Sequence, residues 1–177
     1  MKNTKVVILF LLTLFFTLRI TAEDLDYTVL QKIYESIRLS FDDFPTSNVW
    51  NKQKVEPILD TPRKINFRTI LRQGAKKNPN FNGIYSVVEF GCGTSCQSFF
   101  VINLESGIVY EGFVTTAGVQ YTAESYLFIA NPISDLLEIF KGYQNVPGWN
   151  KTIYSIWNED HLKDILIVNP ESSEDGK

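Results

Sequence analysis

The sequence is poor in the residues on which most enzymes and metal proteins depend. Its 177 residues include two cysteines, one methionine and one histidine, His161. A single imidazole leaves one candidate base for a Ser/His/Asp arrangement and one imidazole ligand for a metal. The chain also lacks G-x-S-x-G, H-E-x-x-H and any Gly-rich phosphate loop that leads into a helix. These absences disfavour enzyme activity, and the sequence predicts no catalytic residue and no cofactor.

Long hydrophobic segments are also lacking, and the main apolar run lies at the N-terminus. Residues 6–18 are apolar apart from two threonines, which is shorter than the ~20 residues that a membrane-spanning helix needs. Two lysines precede this run and the small residue Ala22 follows it, as in a secretory signal peptide. The sequence therefore predicts a signal peptide over 1–22, export to the periplasm or the medium, and no membrane span after cleavage.

Positive charge is scarce once the predicted signal peptide is removed. The whole chain has 17 basic and 20 acidic residues; residues 1–22 hold three of the basic ones and no acidic one, so the mature chain has a net charge of −6. An acidic chain is a poor general binder of nucleic acids and anionic lipids. The remaining length suits a single globular domain over 23–170, followed by a flexible polar tail over 171–177.

Two segments that precede the strands have the pattern of helices. Apolar side chains at positions 30, 33, 34 and 37 follow the i, i+3, i+4, i+7 spacing, which predicts an amphipathic helix over 26–39. Thr61 and Pro62 are typical of a helix start, with threonine as the cap and proline in the first turn. The second helix is predicted to continue to about Ala75.

The second half of the chain has the pattern of strands separated by turns. The predicted strands cover residues 84–90, 97–104, 108–113, 121–130, 151–157 and 161–168. A short helix is predicted to start at Ser134. Helices followed by a run of strands predict an α+β fold, with an antiparallel β-meander sheet and two N-terminal helices packed against it.

The second predicted helix carries a concentration of positive charge and no acidic residue. Like charges four residues apart destabilise a helix by roughly 0.2–0.5 kcal/mol per pair. The charges are therefore either complemented by Asp and Glu on a neighbouring loop or presented to an anionic ligand or partner. The basic residues of this segment are Arg63, Lys64, Arg68, Arg72, Lys76 and Lys77.

The two cysteines lie in the segment 91–96, whose sequence is GCGTSC. Two cysteines in an exported chain are typical of one disulfide, and a tight hairpin loop of residues 93–95 would place Cys92 opposite Cys96. Closing so small a ring is worth only about 2 kcal/mol. Two alternatives remain open: a Cu(I) site that also uses His161, and a redox pair.

Several short motifs in this chain resemble those of a family of small exported bacterial proteins of uncharacterised function. They are PNFNGIY at 79–85, GCGTSCQ at 91–97, YLFIANP at 126–132 and the pair Tyr154 and Trp157, with arginines at 63, 68 and 72. The resemblance covers about 61–166. It implies export and a single-domain architecture, and it implies no activity.

The polar residues of these motifs are candidates for a binding site. If the basic helix packs on the sheet, its arginines would lie beside the cysteine loop and form a polar, cationic pocket. The alternative is that the amide and hydroxyl side chains satisfy loop backbone groups. The predicted ligand- or partner-binding residues are Arg63, Arg68, Arg72, Asn80, Thr94 and Gln97.

The sequence thus favours an exported, non-enzymatic binding module for an unknown protein or anionic ligand, with a disulfide-closed loop beside a basic helix. A thiol-based copper or redox protein is the first alternative. The second is a hydrolase of unrecognised type, which a pocket that holds Thr94, Cys96 or His161 beside a carboxylate would support.

Overall fold

The computed structural model describes residues 25–168, and the predicted signal peptide and polar tail lie outside the described residues. The helices are α1 (Tyr27–Ser36), α2 (Pro62–Asn66), α3 (Arg68–Lys76) and α4 (Ile133–Ile139), with a 3-10 turn at Phe41–Asp43. The strands are β1 (Leu25–Asp26), β2 (Tyr85–Gly93), β3 (Cys96–Asn103), β4 (Val109–Thr115), β5 (Val119–Tyr121), β6 (Leu127–Ala130), β7 (Asn145–Val146), β8 (Thr152–Asn158) and β9 (His161–Val168). Among these helices, none has the length and apolar character needed to cross a membrane.

The predicted α+β class with antiparallel strands is confirmed. The strands form a three-stranded sheet with the order β2-β3-β4 and a four-stranded sheet with the order β5-β6-β8-β9, and β1 pairs with β7. Every pairing is antiparallel. The two predicted N-terminal helices pack on different sheets, since α1 contacts α4 over the four-stranded sheet and α3 contacts β2 and β3.

Three apolar clusters hold these layers together, because side chains of successive strand residues point to opposite faces. On one face of the three-stranded sheet, Phe100 and its neighbours pack against Leu71 of α3. On its other face, Phe99 packs against Phe128 and Trp157 of the four-stranded sheet. The outer face of the four-stranded sheet is covered by α1 and α4. The order of layers is therefore helices, sheet, sheet, helices.

The predicted second helix starts where its cap indicated but is not continuous. The hydroxyl of Thr61 accepts a hydrogen bond from the Lys64 amide at 3.2 Å, and Pro62 opens α2. The helix is interrupted at Phe67, whose ring lies 4.3 Å from that of Phe90 and 5.5 Å from that of Phe100. We infer that packing of this ring on the sheet interrupts the helix at Phe67. The four-residue spacing of basic residues in the sequence gave no sign of this interruption.

The single strand predicted over 121–130 is wrong, because the chain reverses within it. Val119–Tyr121 and Leu127–Ala130 are antiparallel partners, with Tyr121 opposite Phe128. The turn between them, 122–126, contains no glycine or proline, so the usual turn signal was missing. Ser125 holds the turn by donating its hydroxyl to the Phe44 carbonyl at 2.8 Å.

Candidate functional site

The predicted disulfide between Cys92 and Cys96 is present, with a Cα–Cα distance of 5.0 Å. It closes the tip of the β2–β3 hairpin, where Gly93 pairs with Cys96 and the turn is shorter than the predicted 93–95 loop. Gly93 has φ +139°, and nothing lies within 4 Å of the position of a Cβ there. The disulfide therefore sits at an exposed tip and outside the core.

Replacing both cysteines with serine is expected to lower the free energy of unfolding by at most about 2 kcal/mol, because the closed ring is so small. Urea unfolding of the C92S/C96S double variant, followed by circular dichroism, measures this change. The oxidised wild-type protein is the reference. Loss of the folded state in the double variant would contradict a merely local role for the disulfide.

Much of the basic helical segment is complemented by the protein's own carboxylates. Lys64 Nζ lies 2.6 Å from Asp60 Oδ1, Arg63 Nε lies 3.6 Å from Glu111 Oε2, and Arg72 Nε lies 3.9 Å from Glu56 Oε2. The hydrogen bond from Lys64 also lowers the pKa of Asp60. Within residues 25–168, Arg68, Lys76 and Lys77 have no such ion pair.

The six predicted binding residues do not form one site. Arg63 donates to Ser98 Oγ at 3.0 Å on the helix side of the three-stranded sheet, and Arg68 and Arg72 are exposed on α3. Gln97 points to the other side of this sheet, where its Oε1 lies 2.9 Å from the position of a Cβ on Gly118. Thr94 is exposed at the hairpin tip.

The side chain of Asn80 satisfies backbone groups, which was the structural alternative to its predicted role in ligand binding. Its Oδ1 accepts from the Val87 amide at 2.7 Å, and its Nδ2 donates to the Val87 carbonyl at 3.1 Å. Both hydrogen-bonding groups of the amide are therefore engaged with one backbone residue of β2. This clamp fixes the loop that enters β2 and leaves little capacity for a ligand.

A cleft of about 580 Å³ opens between the two sheets, where the strands β4 and β9 lie at the sheet edges. Its floor is apolar and largely aromatic, and its rim carries charged side chains. The lining residues are Lys64, Phe99, Val101, Val109, Tyr110, Glu111, Gly112, Phe113, Trp157, Asp160, His161, Leu162 and Asp164.

The floor is a set of rings in edge-to-face contact, a geometry that aromatic pairs favour. Tyr110 and Trp157 have ring centroids 5.2 Å apart, and Phe99 and Phe113 have centroids 5.3 Å apart. Gly112 permits the second contact, because a Cβ there would lie 2.5 Å from the Phe99 ring. A glycine inside a predicted strand is the one sequence signal of such a close approach.

The rim is more acidic than basic. Asp160 Oδ1 lies 2.8 Å from His161 Nδ1, and Asp164 Oδ1 accepts a hydrogen bond from Ser155 at 2.8 Å. Burial, together with Tyr85 and Asp160, raises the pKa of Tyr110. Asp160 and Asp164 are thus the carboxylates of the rim that no lysine or arginine of residues 25–168 pairs with.

The cleft combines one feature expected of a hydrolase with a lining that is typical of a binding site. His161 lies beside the Asp160 carboxylate in a pocket, which is one element expected of a hydrolase, but the described lining residues include no serine, threonine or cysteine as a nucleophile. The side chains of His161 and Asp160 are also 59% and 68% exposed, so neither is held in a fixed, desolvated geometry. Within 25–168, no group of three or more His, Cys, Asp and Glu side chains could hold a metal ion.

Comparison with known proteins identifies no functional residue in this chain. No protein family matches the chain, and comparison with curated proteins and with solved structures finds no match. The resemblance carried by the GCGTSCQ segment stays a prediction. The case for a function therefore depends on the geometry of the cleft between the two sheets.

Proposed function

We propose that the protein is an exported, non-catalytic binding protein and that the cleft between the sheets is its ligand site. The observation that carries the proposal is an aromatic cavity with a polar rim and no serine, threonine or cysteine among its described lining residues. Ligand sites of proteins are typically concave, apolar pockets of about 300–1,000 Å³ with a few polar groups for orientation. The cleft fits this description in volume and in the chemistry of its lining.

The proposed export is supported by two independent features of the chain. The first is the signal-like N-terminal sequence, with its lysines, apolar run and small residue at position 22. The second is the disulfide between Cys92 and Cys96, since disulfides persist in oxidising compartments such as the bacterial periplasm. A binding function in the periplasm or outside the cell agrees with both features.

Replacing Phe113 with serine is expected to weaken binding of an apolar probe about five- to tenfold, because an aromatic ring of the cleft is lost. The probe is N-phenylnaphthylamine, an uncharged dye whose fluorescence rises in an apolar site. Phe113 is 41% exposed, so the fold should tolerate the change. Fluorescence titration of the wild type and the F113S variant measures the difference.

Val114 offers a matched control for this measurement. It follows Phe113 on β4, is 61% exposed and does not line the cleft. Val114→Ser should therefore bind the dye as the wild type does. Equal affinities of both variants and the wild type, or no dye binding at all, would refute the cleft as a ligand site.

A second candidate function is binding of an anionic partner by α3. It is favoured by the exposed side chains of Arg68, Lys76 and Lys77, which form no ion pair within residues 25–168. These cations lie on the helix layer, on the far side of the three-stranded sheet from the aromatic floor. Partner capture that survives Phe113→Ser unchanged would point to this surface instead of the cleft.

A further inference from the structure

We propose that the ligand of the cleft is an extended peptide segment with lysine or arginine at alternate positions, paired with the free edge of β4. This inference rests on the proposed binding function and deepens it. Three features of the cleft carry it: its position along a strand edge, the unused backbone groups of that edge, and the acidic rim.

The cleft runs along the edge of β4, because residues from both faces of this strand line it. Val109 and Glu111 are opposite Ile102 and Phe100, on the helix side of the sheet. Tyr110, in contrast, packs with Trp157 between the two sheets. A cavity bordered by both faces of one strand lies beside its backbone, where a further strand would be added.

The backbone groups needed for such an addition are unused. β4 is the last strand of its sheet, and within residues 25–168 no backbone group pairs with its outer side. The Ile108 carbonyl accepts from the Asn103 amide at 2.9 Å and so points to β3. Because this direction alternates along an antiparallel strand, the amide and carbonyl groups of Val109 and Glu111 point outward. An extended peptide can pair with these two residues.

The charge of the rim determines which peptide fits. Lys64 is paired with Asp60, and Glu111 lies beside Arg63, so these charges are largely neutralised within the protein. Asp160 and Asp164 have His161 and Ser155 as hydrogen-bonding neighbours but no lysine or arginine partner within residues 25–168, so their negative charge can attract a cation. In an extended peptide, alternate side chains lie on opposite faces. Asp164 lies on the same face of β9 as Leu162, so the aromatic floor and the two aspartates are on the side of the β4 edge that faces the four-stranded sheet. Basic side chains on that face of the peptide can cover the floor with their methylene stems and reach the aspartates with their charged ends. Apolar side chains on the other face would lie beside Val109 on the helix side.

The test uses the folded protein and the peptide acetyl-KFKVK-amide, titrated by calorimetry. Two further peptides carry backbone N-methyl groups, one on the lysines and the other on the phenylalanine and valine. In an added strand, only one of these two sets of amides faces β4. One methylated peptide should therefore bind about tenfold more weakly or worse, while the other keeps most of its affinity.

Charge is tested with acetyl-EFEVE-amide, which should bind much more weakly, and with Asp160→Asn. This variant should weaken the lysine peptide about two- to fivefold, as expected for an exposed charge pair. Glu138→Gln is the matched control, because it also removes one exposed negative charge but at a residue that does not line the cleft. Glu138 lies on α4, which covers the outer face of the four-stranded sheet. It should leave the affinity unchanged.

The outcomes separate this inference from the proposed function. If the dye binds and responds to Phe113→Ser but no peptide binds, the peptide inference is overturned and the ligand site stands. Equal binding of both methylated peptides would show that the peptide does not pair with the β4 edge. Equal binding of dodecylamine and the lysine peptide would show that the occupant is a small cationic amphiphile. Absence of binding by the dye and by every peptide would overturn both proposals.

Discussion

Replacing Phe81 with alanine is expected to lower the free energy of unfolding by about 3–5 kcal/mol, the range observed when a large buried ring is removed. Phe81 is fully buried, and its ring centroid lies 5.4 Å from that of Phe128 and 5.8 Å from that of Trp157. These two rings belong to the four-stranded sheet. Loss of the Phe81 ring would therefore open a cavity at the junction of the two sheets, where the surrounding strands cannot easily collapse.

Urea unfolding followed by tryptophan fluorescence measures this loss. Phe113→Ala is the matched control, since it removes the same type of ring from a site that is 41% exposed. It should lower the free energy of unfolding by about 1 kcal/mol or less. Similar losses for the two variants would show that the interface between the sheets is less tightly packed than the structure indicates.

Replacing Gly83 with alanine is expected to destabilise the protein by about 3 kcal/mol, from a strained backbone and a steric clash combined. Gly83 has φ +72°, a backbone conformation that is unfavourable for residues with a Cβ atom. A Cβ at this position would also lie 2.1 Å from the backbone oxygen of Asn48. The loop before β2 would have to move away from residue 48, and the Asn82 contacts with that residue would be lost.

The melting temperature and urea midpoint of the G83A variant measure this effect. Gly91→Ala is a suitable control, because nothing lies within 4 Å of a Cβ there and its φ is ordinary. We expect the control to unfold as the wild type does. A G83A variant as stable as G91A would mean that the close approach between residues 48 and 83 is not required by the fold.

These two predictions explain the PNFNGIY segment as a structural element. Asn80 clamps β2, Phe81 fills the space between the sheets, and Gly83 allows the chain to pass residue 48. The segment contributes none of the residues that line the aromatic cleft. A motif that is conspicuous in the sequence can therefore reflect packing, while most residues of the candidate site, Trp157 excepted, lie outside these motifs.

Features with short sequence separation were predictable. Asp26 and Thr61 cap their helices through amides two and three residues away, and Cys92 and Cys96 meet across one hairpin turn. Such contacts depend on local backbone geometry, which the residue types largely set. Where local signals were weak the prediction was wrong, as at the turn over 122–126 and at the break in the helix at Phe67.

Hydrophobic periodicity and turn residues act within a few residues of each other, so the α+β class and most strand positions could be predicted from the sequence. The disulfide was predictable because the chain has two cysteines that are four residues apart. Three features depend on tertiary packing: the strands form two sheets, α1 and α3 cover different sheets, and β4 and β9 border a common cleft. Trp157 shows the reason: its strand position was predictable, but its contact with Tyr110 depends on how two separately formed sheets pack face to face. Periodicity within one strand carries no information about which distant strand will lie opposite.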